Sequence, residues 1–293
     1  MHFKAKRFVG VICEKWLPVT LSAEKIQSLA GVFIFLMLTS AIVAGFWTVF
    51  PSWPSGLFAW AAGLLLISRV SAAQIVQMGI LLLIGVVALF SALYLGADLQ
   101  WLRLLDSNTG LLSMLAAVSV LKLVALQIET SVETVPRGRV AFQRTVIAVA
   151  VLGSFINISA PILISERIAR KDGLSAFAAQ SITRAFSGCP AWSPFFGGMA
   201  VVITYVAQTD LLYVMMVGLL FAVAGVLGVL LEARLRYRSR VNDFTGYPLT
   251  VSSLRVPLIL AICVGMGYLL LPQVPILVVI ALAALLVCVL ILF

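Results

Sequence analysis

Long apolar runs, separated by short polar connectors, make up most of the chain. Five of them come close to the length of about 20 residues that a helix needs to cross a bilayer. These runs are residues 29–50, 75–95, 211–231, 256–271 and 276–293. Residues 56–68 predict a short additional span, and residues 104–126 predict a span or a helical hairpin. With the interrupted stretch at 145–207, the pattern predicts an all-α, polytopic transmembrane helical bundle of about 8–9 membrane segments.

Residues 145–207 are apolar enough to enter a membrane, but polar and helix-breaking residues interrupt them twice. The first break, at 157–161, carries Asn157, Ser159 and Pro161, and the second, at 187–194, carries Ser187, Gly188, Cys189, Pro190, Ser193 and Pro194. In hydrocarbon, non-helical backbone persists only where it packs inside protein or lines a wet cavity, because unpaired backbone polar groups are costly there. The two breaks therefore predict broken or re-entrant helices, and they are the best candidate for a binding site.

Composition agrees with this class of protein. Hydrophobic residues make up 62% of the 293 positions and charged residues 11%, which leaves no room for a separate soluble catalytic domain. The net charge of +9 comes from basic residues beside apolar runs, as the positive-inside rule expects, so nucleic-acid binding is not predicted. We expect residues 1–28 to form a cytoplasmic interfacial segment and residues 29–293 a transmembrane, transporter-like domain.

Charge also predicts the topology. Five basic residues precede the first span, so the N-terminus is expected in the cytoplasm, with the protein in a bacterial-type inner membrane. The two ends of the chain agree only if Arg167 and Arg170 are cytoplasmic, like the arginines at 137–144 and 234–240. Residues 145–165 would then enter and leave on one face, turning at 157–161. The alternative is a kinked but complete span, with a further crossing among residues 174–192.

The ionisable residues restrict the chemistry. All eleven acidic residues fall in connectors or at run ends, and the one histidine is His2. A proton relay through the membrane and a histidine metal site are therefore not predicted. If transport is driven by an ion, Na⁺ held by serine, asparagine and backbone oxygens fits this inventory better.

Arg184 immediately precedes the second break. Its guanidinium could face a cavity and clamp a carboxylate or phosphate. The alternative is that it extends to the cytoplasmic interface. Both interpretations stay open at the level of sequence.

A family resemblance adds a second line of evidence. Asp106, Ser107, Asn108, Thr109 and Gly110, just ahead of an apolar run, resemble the Ser-Asn-Thr hairpin tips of the ion transporter superfamily of dicarboxylate/sodium symporters, arsenite carriers and sodium/proton antiporters. The break at 157–161 is similar to the unwound helix beside that hairpin, and residues 187–190 stand nearest to a second tip. The resemblance implies that Ser107, Asn108 and Thr109 touch ion or substrate and that Asn157 and Ser159 complete the pocket.

The sequence thus predicts a secondary transporter, not an enzyme, for a small anionic solute, with Na⁺ as a coupling ion. Its site lies between 145–165 and 181–200 and includes Asn157, Ser159, Arg184, Ser187 and Ser193. The expected partners are the lipid bilayer and the solute, and a homodimer is left open. Two alternatives remain: a membrane enzyme acting on lipid-linked substrates through Glu166, Arg167 and Arg170, or a non-transporting assembly subunit.

Overall fold

The computed structural model describes residues 23–47, 49–128, 136–206, 210–249 and 251–292. Within them the chain is helical, with an isolated bridge between Arg137 and Thr245 and no β-strand. In chain order the helices are α1 (Ala23–Phe46), α2 (Trp53–Leu66), α3 (Ala72–Tyr94), α4 (Trp101–Asp106), α5 (Thr109–Ile128), α6 (Arg139–Ile156), α7 (Ser159–Asp172), α8 (Ala176–Ser187), α9 (Cys189–Trp192), α10 (Gly197–Tyr205), α11 (Leu211–Arg236), α12 (Arg238–Asn242), α13 (Val251–Leu270) and α14 (Ile276–Leu292). A 3-10 turn, Ile67–Arg69, follows α2. Residues 1–22 of the predicted interfacial segment lie outside the described residues.

Six helical stretches in the described residues are long and apolar enough to cross a membrane. They are Glu24–Phe46, Ala72–Tyr94, Trp101–Leu121, Arg139–Ile156, Ala176–Tyr205 and Leu211–Arg236. The all-α class, with helices long and apolar enough to cross a membrane, is confirmed, but the predicted number of about 8–9 segments is not. The difference arises because α2 has only 14 residues and the apolar helices Leu254–Leu270 and Ile276–Ile291 are also short.

The chain forms two compact units. In the first, Met1–Gly110, α1 packs on α2 with the rings of Phe33 and Phe58 stacked at 6.2 Å. Helix α3 is apolar along its length and has no buried residue. A helix that is apolar on all sides needs hydrocarbon around it, so we interpret α3 as a lipid-facing span.

The second unit, Leu111–Phe293, has its core between α6, α7, α8 and α11. Phe142 of α6 stacks on Phe177 of α8 at 5.4 Å and meets Phe244 edge-on at 5.0 Å. Tyr247 is also buried, and its backbone N–H donates to the hydroxyl of Thr145 over 2.7 Å. The segment after α12 is thereby fixed to the first turns of α6.

Helices α6 and α7 form a hairpin. Asn157, between them, has φ 60° and ψ −148°, and it is the one described residue other than glycine with a positive φ. Its side-chain oxygen accepts the N–H of Ile158 at 2.8 Å, and Pro161 falls in the first turn of α7, where its missing N–H costs no helical bond. Arg167 returns to lie 5.5 Å from the ring of Tyr247, the residue bound to Thr145.

The lengths of the two helical arms agree with this reversal of the chain. Thr145 lies about 18 Å before the turn and Arg167 about 15 Å after it, at 1.5 Å per helical residue. Both residues meet Tyr247, so the two arms run side by side. The chain thus turns back at the predicted break, and a re-entry into the membrane at this hairpin stays a prediction.

Arginines gather at the open end of this hairpin, which we call the basic end. Arg167 lies over Tyr247, Arg240 lies 5.4 Å from the ring of Tyr237, and Arg139 and Arg234 line one groove. The grouping of Arg167 with the later arginines, which the predicted topology required, is therefore present. A cytoplasmic location for this end remains a prediction from the positive-inside rule.

Candidate functional site

The second break lies against the end of α6. The hydroxyl of Ser193 donates to the carbonyl of Ser154, and it accepts the N–H of Phe195 at 3.2 Å. The rings of Phe155 and Phe195 lie 5.2 Å apart. Ser154 is one helical turn ahead of Asn157, so the two breaks are neighbours within the second unit.

Two close approaches hold this arrangement. A Cβ on Gly153 would lie 2.9 Å from the ring of Phe186 and 3.0 Å from the sulfur of Cys189, and that sulfur lies 3.3 Å from the carbonyl oxygen of Ala150. On the opposite side of the break, a Cβ on Gly218 of α11 would overlap the carbonyl of Ala191. Both positions need glycine because a larger residue would push α6 or α11 away from the broken helix.

A cavity of about 230 Å³ opens beside the second break. Its walls come from both broken elements and from α11, α13 and the start of α14: Phe155, Trp192, Pro194, Phe195, Leu211, Leu212, Met215, Ala261, Val264, Gly265, Tyr268 and Ile276. We call this space the break cavity. Among the described residues its lining is apolar and aromatic, with Tyr268 as the side chain that carries a hydroxyl. Such walls suit the apolar body of a small organic molecule.

The predicted residues nearest the breaks have defined roles. Asn157 makes the hairpin turn and Ser159 is buried at the start of α7. Ser193 is 1% exposed and links the two breaks. Ser187 is exposed, and its hydroxyl donates within its own helix to the carbonyl of Arg184 at 2.7 Å.

Arg184 does not line the break cavity. Its guanidinium forms an ion pair with Glu232 of α11, whose carboxylate also lies 3.7 Å from Arg236. A cation already paired with a carboxylate has lost much of its capacity to clamp an anion. Arg184 thus makes a partly exposed contact between α8 and α11, and a role in anion binding stays a prediction.

Ser107, Asn108 and Thr109 lie in the first unit, between α4 and the start of α5. The hydroxyl of Thr109 donates to the carbonyl of Asp106 at 2.8 Å, and the carboxylate of Asp106 accepts the hydroxyl of Ser52. These bonds stabilise a helix junction. The resemblance predicts that these three residues share a pocket with Asn157 and Ser159, and this remains a prediction.

Some lining residues were not identified from the sequence. Trp192 and Phe195 could have been found, because they are aromatic residues inside the second break. Gly265 and Tyr268 could not, because they belong to a continuous apolar run with no interruption. Arg167, which the enzyme alternative used, lies over the ring of Tyr247.

No known protein family matches the chain, and no curated protein or solved structure matches it either. In the described part of the chain, no group of three or more histidine, cysteine, aspartate or glutamate residues is placed to hold a metal ion. The geometry of the second unit is therefore the basis for inferring its function.

Proposed function

We propose that the chain is a secondary membrane transporter for a small organic anion, which binds at the break cavity. The observation that carries the proposal is the hydrogen bond from Ser193 to the carbonyl of Ser154, which joins two broken helices beside an open space. Discontinuous helices that meet at one level of a bundle are the usual construction of transporter sites. The resemblance to the ion transporter superfamily supports the same function.

The cavity favours an anion with an apolar body. Its volume of about 230 Å³ accepts a benzene-sized group, since a 150 Å³ apolar cavity already does so in another protein. Helix α10 begins at Gly197, two residues after Phe195 of the cavity wall, and the start of a helix carries positive partial charge. A small carboxylate would place its hydrocarbon part in the cavity and its charge toward α10.

Coupling to Na⁺ is the proposed driving force. The described acidic residues of the second unit, among them Glu166 and Glu232, lie outside both breaks. Neutral oxygens, including backbone carbonyls at the broken ends, remain as ligands, and they are the type that hard cations prefer. In transport, the α6–α7 hairpin would move against α11 and α13 and open the cavity to alternate sides.

The test is uptake of radiolabelled benzoate and short-chain monocarboxylates by proteoliposomes, with and without a Na⁺ gradient. Gly265 lines the break cavity, and a Cβ built there meets no atom within 4 Å, so Gly265→Leu adds side-chain volume at the cavity from an unobstructed Cβ position. Gly225→Leu is the matched control, because Gly225 has the same free space and lies outside the lining. We expect uptake to be lost in the first variant and kept in the second.

Equal uptake by the two glycine variants would show that the break cavity is not on the path. A wild-type protein that takes up none of these carboxylates would contradict the proposed solute class. Uptake that ignores the Na⁺ gradient would refute the coupling ion alone.

A second pair of variants tests the junction of the breaks. Ser193→Ala removes the bond to Ser154 and should lower uptake at least tenfold if the two broken helices must hold each other in place. Ser119→Ala is the control, since Ser119 is exposed and bonds only to the carbonyl of Leu115 in its own helix, at 2.7 Å. Equal activity in both would discredit the junction.

A further inference from the structure

A groove at the basic end, between α6 and α11, is separate from the break cavity. It encloses about 670 Å³. Its lining is Arg139, Phe142, Gln143, Ala224, Leu227, Gly228, Leu230, Leu231, Ala233, Arg234 and Val241. We call it the arginine groove, because two guanidinium groups and one carboxamide are its polar members.

Among the described residues, no acidic side chain lines this groove. The nearest carboxylate along α11 is that of Glu232, which binds Arg184 and Arg236. Residues two apart on a helix point to different faces, so Glu232 and Arg234 are directed away from each other. The groove therefore presents two cations to whatever occupies it.

The start of α6 adds to this positive potential. Arg139 is the first residue of α6, and no side chain caps the N-terminus. A cation at this end of a helix is unfavourable by itself, because the helix dipole is positive there. An anion beside Arg139 would interact favourably with both the guanidinium and the helix dipole.

The rest of the groove is apolar and matches the depth of one leaflet. From Arg234 to Ala224 the wall follows α11 for about 15 Å at 1.5 Å per residue, half of a hydrocarbon core that is about 30 Å thick. Leu227 and Leu231 on this wall are more than half exposed in the isolated chain. A free phosphate ion would leave this surface uncovered, whereas an acyl chain would cover it.

We propose that the arginine groove binds one anionic phospholipid, with the phosphate between Arg139 and Arg234 and an acyl chain along α11. Gln143 donates to the headgroup from the α6 side. Basic pockets between transmembrane helices are a recurrent form of anionic-lipid site. The lipid would fill the space between α6 and α11 at the basic end, and it is distinct from the transported solute.

The experiment measures lipid binding to the purified, delipidated full chain by native mass spectrometry. Phosphatidylglycerol and phosphatidylcholine with the same acyl chains are titrated in a neutral detergent. The wild type should bind phosphatidylglycerol more tightly. Each of Arg139→Gln and Arg234→Gln should weaken this binding about fivefold, and the double variant about 25-fold, from the usual contribution of one arginine to anionic-lipid attraction.

Arg236→Gln is the matched control. It removes the same charge from the same helix, two residues away, but Arg236 faces Glu232 and does not line the groove. Its affinity for phosphatidylglycerol should stay within twofold of the wild type. An equal loss in Arg234→Gln and Arg236→Gln would overturn the proposal, because it would show attraction to overall charge only.

A steric pair tests the acyl-chain part of the groove. Gly228 lines it, and a Cβ at Gly228 or at Gly225 meets no atom within 4 Å, so both leucine variants are expected to fold. Gly228→Leu should weaken phosphatidylglycerol at least fivefold and Gly225→Leu should not. Glycerol phosphate at millimolar concentration should not displace the lipid. Displacement, or equal binding by the two leucine variants, would overturn the lipid assignment.

Discussion

The close approach of α11 to the second break gives a sharp prediction about stability. At Gly218 an added Cβ would overlap the carbonyl of Ala191 and lie 3.0 Å from the backbone nitrogen of Trp192. Backbone atoms cannot rotate away as a side chain can, so Gly218→Ala must displace α11 or the broken segment. Overpacking of this kind costs about 1–3 kcal/mol.

Gly225→Ala is the matched comparison. Gly225 lies two turns along the same helix on nearly the same face, and its Cβ would meet no atom within 4 Å. Both variants gain the same helix propensity, about 1 kcal/mol per replaced glycine, so this term cancels between them. The remaining difference, about 1–3 kcal/mol, measures the contact with Ala191 alone.

Thermal unfolding in detergent, followed by circular dichroism, provides the measurement. Gly218→Ala should unfold at a lower temperature than Gly225→Ala, and the tryptophan fluorescence should shift because Trp192 lies at the contact. If the two variants unfold together and fluoresce alike, α11 does not press against the break. The geometry of the break cavity would then be wrong as well, since both elements line it.

Three further predictions concern the second unit, each measured by thermal unfolding. Asn157→Gly should be more stable than Asn157→Ala by about 1–2 kcal/mol, because glycine tolerates the observed φ of 60° and alanine does not; the reverse order would refute the strained turn. Thr145→Val should lose about 1–3 kcal/mol, because the buried N–H of Tyr247 loses its acceptor; wild-type stability would show that the bond is absent. Glu232→Gln should change stability by less than about 1 kcal/mol, because its pair with Arg184 is partly exposed; a larger loss would indicate a buried pair.

The hairpin of α6 and α7 was predictable because two independent signals pointed to it. Asn157 and Pro161 break an apolar run, and Arg144 and Arg167 on either side require both ends to be on one face. The meeting of the two breaks was also expected from their shared composition. The pattern did not indicate how many stretches are long enough to span a membrane. Short apolar helices such as α2 have the same composition as spanning helices.

The sequence did not indicate which residues line the break cavity or which residue pairs with Arg184. Gly265 and Tyr268 lie in a uniform apolar run, where periodicity does not mark one face. Glu232 lies 48 residues from Arg184, and only the antiparallel packing of α8 and α11 brings the two together. From the sequence, Arg184 could be an anion ligand or an interfacial residue, and its ion pair with Glu232 is visible only in the tertiary structure.

Helix α3, which has no buried residue, has a practical consequence for handling the molecule. Its stability in solution depends mainly on the surfactant belt that replaces the bilayer. A short-chain surfactant that does not cover the 23 residues of α3 would leave its apolar surface exposed to water. Copies of the protein would then aggregate through this surface. Long-chain maltosides are therefore the appropriate medium for the unfolding and lipid-binding measurements proposed above.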